Sequence, residues 1–163
     1  MTDRLGTFLA LLLFIIITTF ACNDNSTGST RPPDCLYNLN NLEGITRTTP
    51  EGEILEEDPR DWCPTDQPHT EYGFTPAWPN PSSAIITFEF SLPVDGSTSL
   101  VIVDSTCTIV KTLVDRNSQA GSHRIEWNGT NGSGEIVPNG VYRCFLEIDE
   151  FSCSGDVQIS HAR

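Results

Sequence analysis

The chain has 163 residues, of which 22 are Asp or Glu and 9 are Lys or Arg, for a formal net charge of -13. This balance argues against nucleic acid as a partner, because phosphate contacts need Lys and Arg, and against attachment to anionic lipid by charge. Six cysteines in so short a chain point to an oxidising compartment, and a hydrophobic content of 37% leaves a small core that disulfides would support.

Met1–Gly6 carries one Arg, and Phe8–Ala21 is an uncharged run of fourteen residues that ends at Cys22. A membrane-spanning helix needs about 20 apolar residues, so the run is short for a span and fits the core of an export signal over residues 1–21. Ala21 directly before Cys22 resembles the lipobox of bacterial lipoproteins. That resemblance implies cleavage before Cys22, acylation of its thiol and a membrane-lipid anchor in the bacterial cell envelope, at the outer membrane, the cell surface or the periplasmic side. The alternatives are an ordinary signal peptide cut near Ala21 and an uncleaved anchor. Residues 22–34 are polar and lack apolar periodicity, so they read as a disordered tether. The twelve residues 23–34 reach about 40 Å when stretched.

Residues 35–71 read as a small hairpin and linker. Ile45–Thr49, a Pro50–Gly52 turn and Glu53–Glu57 form the hairpin. Its few apolar groups, Trp62 among them, are expected to pack on the main domain or to be held by a Cys35–Cys63 bridge, which on the chain-entropy model would contribute roughly 3–4 kcal/mol. The acidic run from Glu51 to Asp61 lacks the spacing of a calcium loop and reads as a solvated face. Five prolines between residues 64 and 81 mark a linker or an edge strand.

From Ala84 onward the apolar period is two. Ala84, Ile86, Phe88, Phe90 and Leu92 share one face, Leu100 and Ile102 continue inward, and Ile109–Val114 follows a turn at residues 105–108. His123, Ile125 and Trp127 alternate next. A glycine-rich corner comes after them, in which Gly129, Gly132, Gly134 and Gly140 are expected to supply turn angles, with Asn128, Asn131 and Asn139 tolerating the same region. Tyr142, Cys144, Leu146 and Ile148 then share a face, and Val157 and Ile159 close the chain. Short strands separated by turn chemistry, with no helical periodicity outside the signal, predict an all-β, immunoglobulin-like antiparallel β-sandwich over residues 72–163. Cys144 and Cys153 fall on inward positions of adjacent strands, and a cross-strand bridge between them is expected. With Cys22 acylated, five cysteines remain, and Cys107 is the candidate odd thiol; a Cys107 bridge to Cys144 or Cys153 is the competing connectivity.

Three ordered blocks resemble the FlgD-type immunoglobulin-like domains. They are A-W-P-N-P-S-S-A-I-I-T-F-E-F-S-L-P (77–93), S-L-V-I-V-D-S-T-C-T-I-V-K-T-L-V (99–114) and A-G-S-H-R-I-E-W-N-G-T-N-G-S-G-E-I-V-P-N-G-V-Y-R-C-F-L (120–146), with Cys107 standing where the family usually has Gly. The resemblance implies a non-catalytic accessory module, as in the hook-capping protein of the flagellum, and it extends to the C-terminal sorting domains of the type IX secretion route.

The residues themselves offer no catalytic constellation. The histidines are His69, His123 and His161, and His123 lies in a strand block, where a packed role outweighs a catalytic one. No G-x-S-x-G, C-x-x-C or H-E-x-x-H spacing is present, so no catalytic residue, metal or cofactor is expected. The reading is therefore a lipid-anchored sandwich that associates with an unidentified envelope or surface protein. A secretion or assembly address, or a carbohydrate-binding module using Trp78, is the alternative.

Overall fold

The computed structural model describes residues 44–161. The expected signal segment 1–21, Cys22, the expected tether 22–34 and Cys35 lie outside the described residues. The described residues form nine strands in chain order: β1 (Arg47–Thr48), β2 (Ile54–Glu56), β3 (Gly73–Trp78), β4 (Ile86–Leu92), β5 (Gly96–Val103), β6 (Ile109–Ser118), β7 (Gly121–Trp127), β8 (Gly140–Ile148) and β9 (Phe151–Ile159). Among the described residues there is no helix long and apolar enough to cross a membrane.

Strands β3-β4-β7 make one sheet and β6-β5-β8-β9 the other, and neighbouring strands run antiparallel. β1 and β2 form a separate small hairpin. The two larger sheets close on a single core because each presents one apolar face at period two. Ile86, Phe88, Phe90 and Leu92 enter from β4, and Leu100 and Ile102 from β5. Tyr142, Cys144, Leu146 and Ile148 enter from β8, Val157 and Ile159 from β9, and Trp127 from the end of β7. Ala84 is exposed, since the strand begins two residues later at Ile86.

The turns follow their residues' conformational freedom. β8 and β9 are joined by Asp149-Glu150, with Asp149 at φ 49°, a left-handed angle that Asp tolerates better than most side chains. In the β5–β6 turn Cys107 has φ 61°, and its N–H donates to the Asp104 carbonyl at 3.0 Å. Of the corner glycines, Gly129 (φ 67°) and Gly134 (φ 85°) take angles that a side chain would strain. Gly132 and Gly140 do not, contrary to the reading of all four as required turn glycines.

The disulfide pattern differs from the sequence expectations. Cys63 pairs with Cys153, with Cα atoms 6.2 Å apart, and not with Cys35. Cys144 is a buried free thiol, and Cys107 is disulfide-bonded, with a partner outside the described residues. The reason lies in the register. Cys144 pairs across the ladder with Gly155, while Cys153 opposes Leu146. Two residues of offset along β9 separate the thiols that the sequence reading joined. Cys153 is instead met by Cys63, because the segment before β3 folds along the side of the sandwich and bridges Phe74 through Cys63.

Candidate interaction surface

A β-sandwich offers its partners either a face or an edge, and the backbone donors and acceptors of an edge strand are an open template unless something covers them. The four outer edges of this sandwich are treated unequally.

The β9 edge is filled by two preceding segments. Trp62 N–H donates to the Ser154 carbonyl at 2.7 Å, and Ser82 N–H donates to the Gln158 carbonyl at 2.9 Å. The Asn80 side chain takes three places at once: its Nδ2 donates to the carbonyls of Asp156 and Thr46, and its Oδ1 accepts from Gln158 N–H at 2.9 Å. Asp156 N–H donates to the Asp61 carboxylate at 3.2 Å. The β3 edge is covered by Cys63, which exchanges two backbone bonds with Phe74, and by Thr48, whose hydroxyl donates to the Ala77 carbonyl at 2.7 Å.

The β6 edge is irregular. Its register against β5 skips Leu113 and Val110, so each is an extra residue. Such bulges twist an edge away from flat pairing. At its start, Gly132 N–H donates to the Val110 carbonyl at 2.9 Å and Lys111 Nζ to the Asn131 carbonyl at 3.1 Å. β7 is the contrast. It pairs with β4 over seven consecutive residues without a bulge, and no other described residue hydrogen-bonds to its backbone.

The side chains along β7 are also arranged for exposure. Ser122, Arg124 and Glu126 are exposed and alternate with half-buried His123 and Ile125. His123 stacks on Phe90 with ring centroids 5.1 Å apart, and its Nε2 lies 2.7 Å from the Gln119 carbonyl, so it is a packed histidine. His161 is held between the Ser83 and Val137 carbonyls, and His69 is exposed. Arg124 pairs with Glu89 at 3.0 Å and lies over Trp78, 5.3 Å from the ring centroid. Gly52 also lies against the Trp78 ring, which leaves less of it for a sugar. Trp127 is 1% exposed, and its indole N–H donates to the Thr130 carbonyl at 2.8 Å, so it belongs to the core.

The asparagines and glycines of the corner build loop, not chemistry. Asn131 Oδ1 accepts from the N–H groups of Ser133 and Glu135, and its Nδ2 donates to Glu135. Asn128 Oδ1 accepts from the Thr130 hydroxyl at 2.7 Å, and Asn139 Oδ1 accepts from His161 N–H at 2.8 Å. Beside this corner a groove of about 860 Å³ is lined by Asp104, Glu135, Ile136 and Tyr142 among others. Partial burial pushes the Asp104 carboxyl up, but hydrogen bonds from Thr106 and Thr108 outweigh it and leave it below the ordinary carboxylate value. Burial, with the Asp104 charge added, raises the Tyr142 phenol. Among the described residues no cluster of three His, Cys, Asp or Glu is placed to hold a metal.

Sequence reasoning missed one buried polar cluster. Arg143 on β8 and Asp156 on β9 form a two-pronged ion pair, at 2.6 and 2.7 Å, with exposures of 5% and 1%. Asp61 sits beside them with Oδ1 3.9 Å from the guanidinium. Burial, reinforced by the Asp156 charge, raises Asp61 to about 7. Burial also raises Asp156, against the pull of Arg143. The positions gave no signal, because Arg143 and Asp156 fall on the outward side of their strands, where the pattern predicts solvent.

Residues 80–147 match the family model of the FlgD Ig-like domain. The match spans β4 to β8, and the structure adds β3 and β9 to it. No curated protein matches the chain. Among solved structures, latent dimeric PorU from Porphyromonas gingivalis is 19% identical over 53% of this chain and 9% of its own, with a TM-score of 0.42. FlgD from P. aeruginosa is 26% identical over 46% of this chain and 59% of its own, with a TM-score of 0.35. PorZ, a surface component of the type IX secretion system of Porphyromonas gingivalis, is 16% identical over 59% of this chain and 12% of its own, with a TM-score of 0.39. This chain thus covers less than two thirds of each of the three. The family match thus makes residues 80–147 similar to the FlgD Ig-like domain, over somewhat less than half of the chain.

Proposed function

We propose that this protein is a non-catalytic, lipid-anchored component of the bacterial envelope, and that its sandwich takes up an extended segment of a partner protein along β7. The observation that carries this reading is the inequality of the edges. β9 and β3 are covered, β6 is bulged, and β7 is regular and has no backbone partner among the described residues. An added strand gains main-chain hydrogen bonds on a flat edge without requiring the edge to distort, and alternate side chains then supply selectivity. The apolar run ending in Ala21-Cys22 supports the anchor. The FlgD family match supports a module that binds rather than reacts.

The test places a photo-crosslinking amino acid at Glu126 on β7 or at Ser152 on β9, both exposed, in the full-length chain within its own envelope. A discrete protein adduct from position 126 that is absent from position 152 is the expected result. No adduct from position 126, or equal adducts from both, would overturn the assignment to β7.

A further inference from the structure

The outer face of β7 carries opposite charges two residues apart. Arg124 and Glu126 are exposed, and Ile125 between them is half-buried against the core. Arg124 is paired with Glu89 of the neighbouring strand at 3.0 Å. Glu126 stands opposite Thr87 and has no ion-pair partner among the described residues. The open edge thus presents one cation, one unpaired anion and one apolar side chain at consecutive positions.

Such an edge is complementary to itself in one register. A two-fold axis normal to the sheet joins two copies of a strand antiparallel. Residues opposed across an antiparallel pair share a face, so the axis must pass through a residue. With the axis at Arg124 or at Glu126, two like charges oppose each other, which is destabilising. With the axis at His123, Arg124 meets Ser122 of the second copy and Ile125 meets its Gly121, so neither charge nor apolar surface is matched. Axes nearer the ends of the strand leave only a short ladder. With the axis at Ile125, Arg124 meets Glu126 of the second copy, Glu126 meets its Arg124, and the two Ile125 side chains pack together.

We infer that β7 pairs with β7 of a second copy of this chain, Ile125 against Ile125. The inference rests on the reading of β7 as the open edge and names its occupant. The two three-stranded sheets become one sheet of six. On its outer face Arg124 lies between Glu89 and Glu126 of the second copy, and each Glu126 gains a cation. Main-chain bonds join residues 123–127 of the two copies, and Ile125 loses its remaining contact with water. The net charge of -13 on each chain opposes approach at long range. Salt at physiological strength screens charges more than about 8 Å apart, whereas directly opposed residues sit about 5 Å apart.

Cysteine trapping in the full-length chain, within its own envelope, tests the register. Across the axis the two Ile125 Cα atoms would lie about 4.5–5.5 Å apart, within the span of a disulfide. The two Ser122 residues would lie about 20 Å apart. With a mild oxidant taking up the two electrons of the thiol pair, Ile125→Cys should give a crosslink of twice the chain mass, and Ser122→Cys should not. No crosslink from Ile125→Cys, or an equal one from Ser122→Cys, would overturn the register. Adding Arg124→Glu or Glu126→Lys to Ile125→Cys should each cut the crosslink several-fold, because like charges then meet. Co-expressing these two variants with different tags should restore it as a mixed dimer, which also demonstrates that both fold. A mixed pair no better than either variant alone would sink the charge pairing. The photo-crosslinker at position 126 separates self-pairing from the edge assignment. An adduct of twice the chain mass supports self-pairing. An adduct of another mass leaves β7 as the edge and overturns the second copy as its occupant, and no adduct overturns both.

Discussion

Gly155 shows how closely the core of this sandwich is set. A Cβ at this position would overlap the indole ring of Trp62. The ring has no free direction of retreat. Trp62 is bound through its N–H to the Ser154 carbonyl, its neighbour Cys63 is bonded to Cys153, and its ring meets Phe74 edge-on at 5.0 Å. Gly155→Ala should therefore destabilise the fold by about 1–3 kcal/mol in urea unfolding. Gly140→Ala is the control. Nothing lies within 4 Å of its added methyl and its φ is not left-handed, so it should be neutral or slightly stabilising. Equal effects from the two would contradict the packing. The thiol of Cys144 is a second test at this scale. Burial, with the charges of Asp156 and Asp61 behind it, raises this thiol well above its ordinary value, and its Sγ donates to the Gly155 carbonyl at 2.8 Å. Thiol labelling read by peptide mass spectrometry should leave Cys144 unmodified in the folded protein and modify it in denaturant. Rapid labelling of the folded chain would refute the burial.

The stretch from Asp58 to Cys63 acts as a clasp on β9, and its chemistry makes it sensitive to pH. Asp61 accepts from Asp156 N–H, while two carboxylates share the single Arg143 guanidinium. The folded-state pKa of Asp61, about 7, lies above the unfolded value of about 3.8. Between those values the folded chain holds a proton that the unfolded chain has lost. Stability should therefore fall as pH rises from about 4 to 7, by at most about 1.4 kcal/mol per pH unit for this group, and level off above 7. Asp156, also raised, adds a slope of the same sign. Asp61→Asn should flatten the profile while keeping the acceptor for Asp156 N–H, and superimposable profiles would count against the assignment. The sequence made some of these elements legible and hid others for physical reasons. Strand alternation identified Ile86, Phe88, Phe90 and Leu92 because period two is a local property of one face. The turn at residues 105–108 was legible because turn chemistry is local too. The clasp was not. Edge coverage depends on which distant segments meet, and neither Asn80 nor Asp61 carries a local mark of the strand it caps. The pairing of Cys63 with Cys153 was hidden likewise, since a shift of two residues along β9 decides it.

Across the whole molecule, residues 44–63 precede the family match yet are fastened into the same body. Trp62 joins the core, Asn80 ties Thr46 to β9, and the Cys63–Cys153 bond closes a loop across 90 residues of sequence. This fastening covers the β3 and β9 edges together, so the side of the sandwich opposite β7 depends on it. If the clasp and the sandwich are one cooperative unit, the oxidised protein should unfold in a single transition monitored equally by Trp fluorescence and by far-ultraviolet circular dichroism. Cys63→Ala/Cys153→Ala should lower stability by roughly 4–5 kcal/mol on the chain-entropy model for a loop of this size. Because Trp62 and Asp61 would still bind β9, the variant should keep a native-like spectrum at low temperature. Its β9 edge should nonetheless become easier to open, and hydrogen exchange at Ser154, Asp156 and Gln158 should quicken before that of the β4 and β5 amides. Two separate transitions in the oxidised wild type, or a variant with an unchanged midpoint and unchanged β9 exchange, would show that the segment rides on the sandwich without stabilising it.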